Sequence, residues 1–215
     1  MGGQIVTVRH GRPNLSRDVR IKWREYGAWW AAYDRAGLVP DEAPPPALVE
    51  MAGAADHVFS STLPRAKETA ARLLGSERLA PANDLFVEAP LPPPPAPFLR
   101  LRPGTWGVVS RVYWFVGYAP RVESHSAAWR RVHKAADALI DTARDGDVLL
   151  CAHGYFNWML DKALRRKGMR RLYNGGHHYW SWRTYAPSGA LAPAPEAASR
   201  LSPARPSAAA VEGSE

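Results

Sequence analysis

Cysteine is nearly absent from this chain of 215 residues: Cys151 stands alone. An internal disulfide framework is therefore closed to it, and no Cys/His cluster has the spacing of a zinc site, so a reducing compartment is expected. Long apolar runs are missing as well. None reaches the length of a membrane span, and no charged segment followed by an apolar one precedes the first apparent core strand, so the chain reads as soluble and cytoplasmic. Acidic residues are outnumbered, 20 against 28 Lys and Arg, for a formal charge of +8. Such an excess can serve nucleic acid, an anionic surface or a small anionic substrate, and placement decides between them. The densest run, Arg165, Arg166, Lys167, Arg170 and Arg171, falls in a helix end and the loop after it. Cations there oppose the helix dipole, which favours a solvated helix end over a nucleic-acid partner.

Hydrophobic residues make up 46% of the chain, enough for one domain with a full core. Val6-Thr7-Val8 predicts a buried first strand that ends on Arg9-His10-Gly11. Helical spacing of Trp23, Tyr26, Trp30 and Tyr33, with Ser16 as N-cap and Gly37 as stop, predicts a helix near 17–36 with its aromatic stripe in the core. A short helical stretch at 47–53 leads to a second strand at 57–61. A third helix begins after the capping residue Thr62, with Pro64 in its first turn, and runs to Gly75. Leu85 to Glu88 reads as a short strand, and Pro90 to Pro97 as a stiff extended loop rather than a polyproline ligand. The aromatic segment from Trp106 to Tyr118 fits either a lid or a packed helical insertion. A long helix follows Glu123-Ser124 and closes at Asp145-Gly146; the strand 147–152 then ends on His153-Gly154. Another helix and a last strand at 179–185 complete the domain, 1–185, leaving an Ala/Pro/Ser-rich stretch, 186–215, that is expected to be a disordered tail. Cys151 reads as a small core residue, His125 and His133 as solvated or structural, and His177 and His178 as structural or rim residues rather than ligands.

Two strands that each end on His-Gly form the single internal recurrence, and they are what points to chemistry. Strand ends of an open α/β sheet are where its ligands sit. Arg9 offers a permanently charged fork matched to phosphate oxygens, and His10 a nitrogen that is uncharged near neutral pH. Arg65 falls in the first turn of a helix, a natural anion site, with the hydroxyls of Ser60, Ser61 and Thr62 close by. A phosphoryl transfer needs a nucleophile, cations on the equatorial oxygens and a proton for the leaving oxygen. His10 can attack, Arg9, Arg65 and His153 can hold the oxygens, and a carboxyl can serve as acid.

Arg9-His10-Gly11, then Ser60-Ser61 with Arg65-Ala66 and Glu68-Thr69-Ala70, then Ala152-His153-Gly154 resemble, in this order, the motifs of the histidine phosphatase superfamily, also called phosphoglycerate mutase-like. The resemblance implies a three-layer α/β/α sandwich with a mostly parallel sheet. It implies His10 as the phosphorylated residue, Arg9, Arg65 and His153 as the phosphate pocket, and Glu88 as the general acid that later activates water, with no metal or other cofactor. Glu123-Ser124 with Arg131 also resembles a family pattern. Two stretches depart from it. Arg12-Pro13 replaces an acidic residue, with Ser16 at the usual asparagine position, and a proline run replaces the glycine- and acid-containing continuation after Glu88. The expected activity is a phosphohydrolase acting on a small phosphomonoester or a phosphohistidine protein. The alternatives are mutase-type phosphoryl transfer and a catalytically weak module that binds a phosphorylated ligand. Oligomeric state is left open.

Overall fold

A computed structural model of the chain describes residues 2–75, 78 and 80–189. The first strand, β1 (Ile5–Arg9), is followed by an irregular stretch, a two-residue strand β2 (Ile21–Lys22), a 3₁₀ turn at Trp23–Glu25, and α1 (Tyr26–Arg35). This corrects the helix expected over 17–36. Ile21 and Lys22 pair antiparallel with β5 (Arg100–Leu101), and the backbone N–H of Lys22 donates to the Glu25 carboxylate at 2.7 Å, so the helix starts later. Ser16 caps no helix; its hydroxyl accepts from the N–H of Asp18. The helix ends before Gly37, a residue crowded by the Glu68 carboxylate, which also accepts from the N–H of Leu38 at 2.7 Å.

Next come α2 (Pro46–Ala54), β3 (His57–Ser61) and α3 (Pro64–Leu74), whose Pro64 stands in the first turn and whose C-terminus stops on Gly75 at φ 76°. Leu63, not Thr62, is the N-cap; the Thr62 hydroxyl donates instead to Asp84 at 2.6 Å. The strand expected at Leu85–Glu88 is not there. A short strand β4 (Ala82–Asn83) precedes a 3₁₀ turn at Asp84–Phe86, because Asn83 accepts the N–H of Leu85 and turns the chain. The segment Trp106–Tyr118 resolves in favour of a packed helix, α4 (Pro103–Phe115), with Trp106 and Trp114 fully buried. Then follow α5 (His125–Thr142), N-capped by Ser124, β6 (Val148–Ala152) and α6 (Gly154–Arg166). The strand β7 (Met169–Asn174) had no place in the sequence reading, and β8 (Trp182–Pro187) starts later than expected and includes Ala186 and Pro187. The remainder of the expected tail, from 190 onward, lies outside the described residues.

The six-stranded sheet has the order β4-β3-β6-β1-β8-β7, parallel from β4 to β1 and antiparallel across β8 and β7. The period-two alternation of β6 shows why helices cover both faces. Val148, Leu150 and Ala152 pack with residues of α5 and α6, whereas Leu149 and Cys151 pack with residues of α2 and α3. The architecture is a three-layer α/β/α sandwich. A third, smaller core of Ile21, Tyr26 and Trp106 joins β2, α1 and α4 over one end of the sheet.

Cationic residues at the end of α6 and in β7 have local partners. Asp161 pairs with Arg165 at 3.7 Å and Arg171 at 3.0 Å, and Lys167 with Asp137 at 2.6 Å, in line with a helix-end role. Cys151 is buried in β6, and burial pushes its thiol pKa up. Among the described residues no helix is long and apolar enough to cross a membrane.

Candidate active site

Three parallel strands end level with one another, and that register assembles the site. Arg9 lies opposite Ala152 and Ser60 opposite Cys151, so the residues after β1, β6 and β3 emerge side by side at the carboxyl edge. His10 and His153 follow directly, their ring centroids 5.3 Å apart, and α3 brings Arg65 in its first turn. Gly11 is required at its place because the Trp180 ring packs where a Cβ would stand. Gly154 serves Arg9 similarly: a Cβ there would lie 3.1 Å from the Arg9 Nε.

His10 is buried, and its Nδ1 lies 2.7 Å from the carbonyl oxygen of Gly11. A carbonyl only accepts, so Nδ1 carries the proton of the neutral ring and the lone pair is on Nε2. Burial holds the His10 pKa well below its ordinary value; the cations Arg65, Arg9 and Arg17 add to this, against the Gly11 hydrogen bond. His153 is fully buried and shifted the same way, first by burial and then by Arg65, His10 and Arg9. Its Nε2 lies 2.8 Å from the Ser61 hydroxyl.

Arg65 is 1% exposed and donates to the Tyr33 carbonyl at 3.1 Å and to Asp34 at 3.2 Å, with its guanidinium 4.6 Å over the Tyr33 ring. Arg9 donates to the His177 carbonyl and lies 4.5 Å over the ring of Tyr179. Three nitrogens around His10 are nonetheless buried without a hydrogen-bond partner among the described residues: Arg9 Nε, Arg65 Nε and His153 Nδ1. An unmade hydrogen bond costs a buried polar group about 1–3 kcal/mol, so the Nε–H groups of Arg9 and Arg65 call for an acceptor, and His153 Nδ1 joins them as a donor in the tautomer whose Nε2 accepts from Ser61.

The three hydroxyls expected close to Arg65 are differently engaged. Thr62 turns away to Asp84, Ser61 engages His153, and Ser60 is buried without a partner among the described residues.

Glu88 stands at the start of α6. Its Oε1 accepts the N–H groups of Ala89 at 2.9 Å and Phe156 at 2.8 Å, and its Oε2 that of Tyr155 at 3.1 Å. A carboxylate suits the positive end of a helix, and three donors fix its orientation. The loop that carries it is held by Arg131, which donates to the carbonyls of Leu85 and Val87, both at 2.9 Å, and forks onto Glu123 at 2.9 and 2.7 Å. Arg131→Ala is expected to lower stability by about 2–3 kcal/mol, the range for charged hydrogen bonds partly removed from water. It should lower kcat more than it changes KM, because Glu88 loses its anchor. Denaturant unfolding and steady-state kinetics on the same preparation check both, and an unaltered kcat would show that α6 alone positions Glu88.

Four residues of the expected set, Arg9, His10, Arg65 and Glu88, line one cleft of about 800 Å³. His153 backs it from the interior. Sequence reasoning missed further members: Arg17, Tyr33, Asp34, Arg111 and Tyr155. Tyr33 lay in an aromatic stripe read as core. It is buried, which pushes its phenol up to about 12, but its ring also carries Arg65 and Arg17. Arg111 was legible only as a lone cation within an aromatic segment.

A family model for the histidine phosphatase superfamily, branch 1, matches residues 106–189, the part that contains Ala152-His153-Gly154. Solved structures extend the likeness to most of the chain. A phosphoglycerate mutase from Bacillus anthracis aligns with a TM-score of 0.53 at 16% identity, covering 87% of this chain and 89% of that one. Residues 106–189 are thus similar in sequence to the histidine phosphatase superfamily, and over most of its length the chain has the fold of that mutase. The mycobacterial glucosyl-3-phosphoglycerate phosphatase aligns at 0.52 and 16% identity over 86% of this chain and 90% of that one. Phosphoserine phosphatase from Entamoeba histolytica, in complex with 3-phosphoglyceric acid, aligns at 0.50 and 16% identity over 76% and 80%. At these identities the structures show a shared fold and no more. No curated protein sequence matches the chain.

Proposed function

We propose that this chain is a phosphohydrolase that cleaves a phosphomonoester through a covalent phosphohistidine on His10, without a metal ion. The observation that carries this reading is that Arg9, Arg65 and His153, each with a buried nitrogen lacking a partner among the described residues, cluster with a histidine whose Nδ1 faces a carbonyl and leaves the lone pair on Nε2. In the first step Nε2 attacks phosphorus, the bond to the leaving oxygen breaks, and the Glu88 carboxyl supplies the proton to that oxygen. Arg9, Arg65 and His153 stabilise the charge spread over the equatorial oxygens. In the second step Glu88 takes a proton from water as its oxygen attacks phosphorus, the N–P bond breaks, and inorganic phosphate leaves. A protein phosphohistidine is the other substrate in reach of this chemistry, and its imidazole would leave with little need of the acid.

Arg65 is not idle in the free protein, and this bears on affinity. Asp34, 53% exposed at its side chain, holds the guanidinium that phosphate must recruit. Asp34→Asn is therefore expected to strengthen product inhibition by inorganic phosphate roughly two- to fivefold, the equivalent of the up to ~1 kcal/mol that a half-exposed ion pair is worth. Unchanged or weaker inhibition would mean that phosphate does not compete with Asp34 for Arg65. The function itself is tested by a panel of phosphomonoesters, with substitution at His10 as the control.

A further inference from the structure

The cleft is far larger than a phosphoryl group needs, and its two ends differ in chemistry. Cations gather at the His10 end. Arg9 lies over Tyr179, while Arg65 and Arg17 lie 4.6 and 5.5 Å from the centre of the Tyr33 ring. Arg111, the remaining arginine of the cleft, has both terminal nitrogens committed to carbonyls, those of Pro90 and Ala89 at 3.0 and 3.2 Å. Beyond it the wall is Trp30, Leu91, Val108, Val122, Tyr155 and Trp158; its polar atoms Trp30 Nε1 and Tyr155 OH are buried without a hydrogen-bond partner among the described residues, and the rest of the surface it offers is mostly apolar.

That wall does not stop at the cleft mouth. Val108 is 66% exposed and begins a row on α4 with Val112 and Phe115, continued by Val116 just past the helix end, all exposed, at the spacing of one helix face. Exposed apolar side chains scattered singly need no explanation, but a contiguous row joined to a ligand cleft marks a binding surface. A polar leaving group of phosphoserine or phosphoglycerate size would meet no free cation on this side among the described residues and would leave the row in water.

We infer that the leaving group of the substrate is an extended apolar group, seated along Trp30, Leu91 and the Val108 edge of α4, with its phosphate at His10. This rests on the reading of the His10 pocket as a phosphate site. It specifies the substrate class as a phosphomonoester of an apolar alcohol.

Binding tests the inference apart from turnover. A series of n-alkylphosphonates, which carry no hydrolysable ester, is titrated below micelle-forming concentration. Two readouts serve: quenching of tryptophan fluorescence, since Trp30 and Trp158 line the cleft, and displacement of inorganic phosphate. The dissociation constant should fall with chain length by up to about fourfold per methylene, the effect of burying one such group, until the chain leaves the cleft. Val108→Asp, at an exposed position where folding is not at stake, should flatten that dependence. A dissociation constant independent of chain length in the wild type would overturn the inference. So would a chain-length gain that survives Val108→Asp, since the tail would then lie elsewhere. Hydrolysis of small polar monoesters together with a flat series would leave the phosphohydrolase reading intact and remove this one. A steep series in a protein that hydrolyses no monoester would remove the phosphohydrolase reading, and with it the substrate class, and leave only an apolar seat beside a phosphate site.

Discussion

His10→Asn is expected to abolish turnover, by on the order of 10⁶-fold, the loss when the nucleophile of a cooperating catalytic set is removed. Asparagine is chosen because its amide can still donate to the Gly11 carbonyl that now accepts from Nδ1 at 2.7 Å, so the loop after β1 keeps its hydrogen bond. The same variant reports on the burial of the site through pH. The pKa of His10 and that of His153 are both lowered in the folded protein, first by burial, so both rings stay neutral where an unfolded chain would protonate them. Below the ordinary histidine pKa of about 6.5 the unfolded state binds more protons, and stability falls as pH falls. Each histidine contributes a slope of up to about 1.4 kcal/mol per pH unit in that range. Denaturant midpoints between about pH 7.5 and about pH 5.5 should therefore drop less steeply in His10→Asn than in the wild type. Equal slopes would contradict a buried, neutral His10, and full activity in the variant would remove it from the chemistry.

Glu88→Gln carries the second large effect. With the acid lost, esters of poor leaving groups should slow by roughly 10²–10⁴-fold, the usual contribution of a positioned proton donor. An activated aryl phosphate should suffer little in the burst that reports phosphorylation, because its leaving group departs without protonation. Its steady-state rate should still fall if the same carboxylate activates water in the second step. Glutamine retains an oxygen for the N–H groups of Ala89 and Phe156 and gives up only the acceptor of the Tyr155 N–H, so the start of α6 should survive. A purely structural Glu88 predicts the opposite pattern: lower stability, and no discrimination between good and poor leaving groups.

The part of the site that was legible in the sequence is the part set by strand ends. Arg9, His10 and His153 follow β1 and β6 directly, and Arg65 opens the helix after β3, so chain order and parallel pairing place them together without further information. Glu88 was found as a residue but given the wrong local structure. Its loop is shaped by Asn83 and by Arg131 reaching from α5, a contact across more than forty residues that no local pattern announces. The apolar wall was hidden for a related reason. Aromatic stripes in α1 and α4 look like core at helical spacing, and much of them is core: Tyr26 and Trp106 are buried in the small third cluster. What periodicity does not reveal is that the neighbouring face, Trp30 on α1 and Val108 on α4, opens into the cleft. The strand β7 was missed because its Arg-rich sequence suits an edge position, where tertiary pairing with β8 overrides propensity.

The most direct measurement of the central claim is the intact mass of the protein after a millisecond mix with excess activated aryl phosphate and a denaturing alkaline quench, which preserves a phosphoramidate that acid would cleave. A species heavier by one phosphoryl group is expected in the wild type, formed at the rate of the burst and mapped to His10. In Glu88→Gln, whose second step is slowed, that species should accumulate further, and in His10→Asn it should be absent. An adduct on another residue, or a burst of aryl alcohol in Glu88→Gln with no adduct at all, would contradict the claim.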